Sequence, residues 1–118
     1  MTAIAKLLDE ELATISDADL VAAIRRLLVR PYSVEREWDY GQPGEKYICW
    51  TVLEHPPSNT GIAYCAMGFG PACPWGLVWL SGERMNIGMD SGWFATLEDA
   101  MRESCAWDLP NPPGYEVA

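Results

Sequence analysis

Hydrophobic positions in the first thirty residues recur with the period of an α-helix. Ile4, Leu7, Leu8 and Leu12 predict a helix over 2–13 with Thr2 as its cap. Leu20, Ile24, Leu27 and Leu28, supported by Val21, predict a second. That second helix opens at Ser16-Asp-Ala-Asp19, where the serine hydroxyl can accept an amide proton of the first turn and acid suits the helix dipole. Arg25, Arg26 and Arg30 fall toward its other end, and Pro31 is expected to stop it. The joint over 14–16 is short, so the two helices read as an αα-hairpin.

From Ser33 the period drops to two. Val34, Arg36, Trp38 and Tyr40 point to one side, and Glu35, Glu37 and Asp39 to the other. Gly41-Gln-Pro-Gly44 has turn chemistry, and 46–54 reads as the returning strand. Setting Tyr40 against Glu45 predicts the pairs Asp39–Lys46, Trp38–Tyr47, Glu37–Ile48 and Glu35–Trp50. His55-Pro-Pro-Ser-Asn-Thr-Gly61 is a loop. The runs 62–67 and 76–80 are apolar on both faces, as central strands are, and 84–89 reads as a more exposed final strand. Asp90-Ser-Gly92 turns Trp93 and Phe94 toward the core, and Thr96-Leu-Glu-Asp99 opens a helix over 96–107. Leu97, Ala100, Met101, Ser104 and Cys105 form its inner side, and 108–118, with Pro110, Pro112 and Pro113, is a loosely packed extended tail. The predicted fold is α+β in one domain over 1–118. An N-terminal αα-hairpin (1–31) precedes an antiparallel four- to five-stranded meander sheet (33–94), and the C-terminal helix packs on the sheet.

Composition narrows the class. Of 118 residues 49% are hydrophobic and 21% charged, which suits a globular chain rather than a disordered one. The net charge is −9, with two basic residues, Arg84 and Arg102, after residue 47. Such a chain repels nucleic acid and anionic membrane, both of which bind through Lys and Arg clusters. A helix-turn-helix reading of the first two helices meets the same objection. No apolar run approaches a signal or membrane-spanning length, so the expected location is cytoplasmic. In that compartment Cys49, Cys65, Cys73 and Cys105 are expected to be reduced and mostly buried.

Candidate chemistry is sparse. A nucleophilic pair of Cys73 with the one histidine, His55, lacks a positive field near the cysteine. The cysteine spacing contains no C-x₂-C, so no metal is expected, and Gly68-Phe-Gly70 runs into Pro71 rather than a phosphate-cradling helix. No cofactor and no catalytic residue is assigned. Two features remain. One is the carboxylate row Glu35, Glu37 and Asp39 with Glu45 nearby, which offers a binding face or merely a solvated strand that resists edge pairing. The other is the shaped loop Phe69-Gly-Pro-Ala-Cys-Pro-Trp75, where Phe69, Cys73 and Trp75 are the pocket candidates and Trp75 an interface anchor.

In size and charge the chain resembles bacterial or phage inhibitor and immunity proteins. That likeness implies a non-enzymatic domain, monomeric or homodimeric, that occludes a basic protein partner such as a nuclease. The alternatives are a small-molecule-binding or enzymatic domain built on the 69–75 loop, and a structural module that self-associates.

Overall fold

The computed structural model describes residues 3–37, 46–66, 73–81, 92–111 and 113–115. Two helices, α1 (Ala3–Thr14) and α2 (Ala18–Leu27), lead into β1 (Leu28–Glu37) and β2 (Lys46–His55). A single 3-10 turn (Pro56–Ser58) joins β2 to β3 (Thr60–Tyr64), followed by β4 (Trp75–Trp79), β5 (Trp93–Phe94) and α3 (Leu97–Glu103). The strands form one antiparallel sheet in chain order, β1-β2-β3-β4-β5. This is the α+β meander that the hydrophobic pattern predicts, with α3 packed on the sheet.

Several boundaries differ from the pattern, each for a local reason. The cap of α2 is Asp17 rather than Ser16, its carboxylate accepting from the amides of Asp19 and Leu20 at 3.1 and 3.3 Å. The helix ends at Leu27, because Leu28 already has extended dihedrals, so Pro31 lies inside β1 instead of stopping α2. An edge strand tolerates this proline, and the β1–β2 register shifts between Leu28 and Tyr32. Beyond that shift the hairpin pairs Ser33 with Trp50, Glu35 with Ile48 and Glu37 with Lys46. This is a two-residue slip from the predicted register, and an even slip leaves every side chain on its predicted side. β3 begins earlier than expected, at Thr60, after Asn59 turns the chain in the left-handed region. The predicted strand over 84–89 and the turn over 41–44 lie outside the described residues.

The two faces of the sheet are built differently. Trp50, Ile62, Tyr64, Trp75, Leu77 and Phe94 face Leu20, Ile24, Leu97 and Met101 of the helices. On the other face, small side chains predominate: Cys49, Ala63, Cys65 and Val78 pack with Trp93. Gly76 belongs to this face, and a Cβ there would stand 2.7 Å from the Trp93 ring. Arg36, 3% exposed, reaches across it to donate to the carbonyl of Trp79 at 3.3 Å. Three flat inter-strand steps would span about 14 Å, further than an arginine side chain extends. The sheet therefore curls over this face, and small residues permit the curl.

Buried charge ties the helices to the C-terminal segment. Arg102 of α3, 5% exposed, donates to the Asp17 carboxylate at 3.1 Å, to Glu98 at 3.1 Å and to Asn111 at 3.2 Å. The rings of Trp107 and Tyr115 flank its guanidinium at 5.8 and 5.3 Å, and the Tyr115 hydroxyl donates to Asp99 at 2.8 Å. The tail expected to pack loosely is thus anchored at Asn111 and Tyr115. A second tie comes from α1, where Glu11 accepts the amide proton of Leu97 at 2.8 Å and helps start α3 beside the Thr96 cap.

Two outcomes follow from this packing. Gly76→Ala should lower unfolding free energy by about 1–3 kcal/mol in urea denaturation, because the Trp93 ring has to shift; unchanged stability would contradict the close approach. The hydrogen bond from Arg102, followed by the Leu20 amide, holds the Asp17 carboxyl below its ordinary 3.8. Its contribution is complete above that pH and is lost as pH falls through the depressed native value. Asp17→Asn should therefore remove part of the acid-side loss of stability seen by circular dichroism between neutral pH and pH of about 2.

Candidate functional site

Antiparallel partners share a sheet face, so the β1–β2 register fixes what surrounds the predicted carboxylate row. Glu35 is exposed and lies directly across from Ile48, which is 56% exposed, the highest value among the large hydrophobic side chains described. Both stand on the helix-bearing side of the sheet. Two residues further along β2, Trp50 is already packed against the helical core, so helical cover stops between Trp50 and Ile48. Glu37 continues the row in the backbone ladder opposite Lys46. Asp39 and Glu45 lie outside the described residues.

The opposite side of the same hairpin is also partly polar. The Tyr32 hydroxyl, on a ring 40% exposed, donates to Glu54 at 2.6 Å. Partial burial, then this carboxylate acceptor, push the Tyr32 phenol above its ordinary range. Arg36 lies behind it, and burial draws the guanidinium pKa down while the neighbouring Cys49 and Tyr32 act in the other direction.

The loop candidates separate. Trp75 is 2% exposed and sits in β4, edge-on to Tyr64 with ring centroids 5.0 Å apart. It is a core residue of the sheet rather than a loop side chain presented to a partner. Cys73 is half-buried just before β4, and Phe69 lies outside the described residues. Cys73 and His55 do not meet: Pro74 pairs with Cys65 at one end of β3–β4, whereas His55 belongs to the other end with Thr60 and Trp79.

His55 instead has a partner that the sequence reading passed over. Its Nδ1 is 2.8 Å from Ser58 Oγ, and Ser58 Oγ lies 2.6 Å from Thr60 Oγ1. The Ser58 hydroxyl donates to the His55 carbonyl at 3.2 Å. The cluster closes the Pro56–Ser58 turn. The short H-P-P-S spacing was the signal for it.

A groove of about 300 Å³ runs between α2 and the segment after α3, lined by Asp19, Ala22, Arg26, Trp107 and Leu109 among others. Among the described residues, no group of three or more His, Cys, Asp or Glu side chains could hold a metal ion. No helix among them is long and apolar enough to cross a membrane. Compared with protein-family models, curated proteins and solved structures, the chain matches none.

Thiol exposure gives a direct check on this geometry. Cys105 is exposed and Cys73 half-buried, whereas Cys49 and Cys65 are buried. An aromatic disulfide reagent should titrate Cys105 first and Cys73 next, with Cys49 and Cys65 reacting last and slowly, through transient opening of the strands. A Cys73 that outpaces Cys105 would instead favour the loop as a reactive site.

Proposed function

We propose that the chain is a non-enzymatic binding domain that engages a basic protein through the end of the β1–β2 hairpin. The observation that carries this reading is the cross-strand pair of exposed Glu35 and exposed Ile48 beyond the helical cover. An apolar side chain beside a carboxylate suits an interface in which burial provides a share of the affinity and charge provides orientation and encounter rate. The net charge of −9 adds long-range attraction for a basic partner and repulsion for nucleic acid. Glu37, Asp39 and Glu45 are further proposed contacts to the same partner. The mode of action is occlusion of the partner's basic surface, as an inhibitor or immunity protein would occlude a nuclease, and the setting is the cytoplasm. Ile48 takes the anchoring role that the sequence reading gave to Trp75.

The test is capture from native lysate at low salt, comparing three immobilised proteins. Wild type should retain a basic protein that leaves as salt rises. The Glu35→Lys/Ile48→Asp variant should retain it about ten-fold less, equivalent to a loss near 1.4 kcal/mol. Glu10→Lys, a charge reversal on the exposed side of α1, should behave as wild type. Equal capture by all three, or equal loss in both variants, would contradict a site at the hairpin end.

A further inference from the structure

Cys49 and Cys65 face one another across β2 and β3 on the curled side of the sheet. The ladder pairs Trp50 with Tyr64 and Thr51 with Ala63, so the next step sets Cys49 against Cys65. The kind of pair follows from one backbone bond: the Cys65 amide donates to the Pro74 carbonyl at 2.8 Å. The backbone groups of Cys65 therefore point toward β4, and on the β2 side the residue belongs to a pair that exchanges no backbone hydrogen bonds. Cα atoms in such pairs stand about 4.5 Å apart and their side chains approach most closely. A disulfide spans Cα separations of about 4.4–6.8 Å, so this position meets its requirement without moving either strand. The two thiols are 0% and 1% exposed, share one cluster with Ala63 and Val78, and hydrogen-bond to each other.

We propose that Cys49 and Cys65 are a cross-strand dithiol, a modification site that a low-molecular-weight disulfide such as oxidised glutathione converts into a Cys49–Cys65 bond. The inference rests on the strand register and is independent of the hairpin's role in binding. In the first step the Cys49 thiol loses its proton and attacks a sulfur of the small disulfide, displacing one glutathione thiolate, which takes up that proton. Cys65 then loses its proton and attacks the Cys49 sulfur of the mixed disulfide. The second glutathione leaves as thiol, so two protein thiols are oxidised and one disulfide is reduced. The positive charge of Arg36 favours a thiolate at Cys49. The hydrogen bond with Cys65, then burial, oppose it and hold the pair as thiols in the closed fold. Oxidation consequently proceeds through transient opening of β2–β3, and closure brings the second sulfur into place. The bond would strap together the two strands immediately beside Ile48.

The experiment uses the Cys73→Ser/Cys105→Ser variant, which leaves only the facing pair. Incubation with oxidised glutathione without denaturant should lower the mass by about two units and yield a non-reduced peptide linking Cys49 to Cys65. The melting temperature should rise by about 4 °C or more, because the bond closes a loop of the size that restricts the unfolded chain appreciably, and dithiothreitol should reverse it. Unchanged mass, stable glutathione adducts without the link, or a linked protein that melts no higher would each overturn the proposal. Should the double variant fail to fold, the same link is sought in wild-type protein whose Cys73 and Cys105 have been alkylated under native conditions.

Discussion

Length is the constraint from which the surface of this protein follows. β1 and β2 each run for ten residues, which is about 33 Å of extended chain. α2 also has ten residues and α1 twelve, but helices of those lengths reach only about 15 and 18 Å. The helical layer therefore cannot cover the whole of the hairpin it packs on. It covers Trp50, Val52 and Leu53 and stops short of Ile48. A hydrophobic side chain is left outside the core beside a carboxylate, and that leftover surface is the proposed contact with a partner.

The layers are held in place by charges that the chain buries selectively. Arg102 has three side-chain acceptors and two aromatic neighbours, so its desolvation is offset by directed contacts rather than by one ion pair. Because those contacts come from the α2 cap, from α3 itself and from the C-terminal segment, one side chain fixes the relative placement of all three. Arg36 acts at the other side of the sheet, where its reach to the Trp79 carbonyl accompanies the curl and the small residues beneath it. The sheet thus has one face shaped by large rings against helices and one shaped by close backbone approach.

Periodicity made much of this legible. The alternation from Val34 to Arg36 correctly separated inner from outer side chains, and Thr96 was readable as a cap from its own sequence neighbourhood. What periodicity could not supply were contacts between distant residues. The hairpin sits two residues from the register inferred at its turn, and the ladder shifts again between Leu28 and Tyr32. Trp75 looked like a loop residue because Pro74 and Gly76 flank it, yet Gly76 is needed for the approach of Trp93 rather than for a turn. Nothing near Arg102 in the sequence marks its role, because Asp17 and Asn111 are brought to it from elsewhere in the chain. Of the acidic row, Glu35 was legible as an outward residue, but its apolar companion Ile48 emerged only with the true register.

The most direct measurement of the central claim is hydrogen exchange on the complex with the basic protein captured in a salt-sensitive manner. The proposed contact is the uncovered end of the hairpin, so peptides spanning 33–37 and 46–50 should gain protection over the unbound chain. Protection confined to the groove between α2 and residues 106–109, with the hairpin end unchanged, would contradict it.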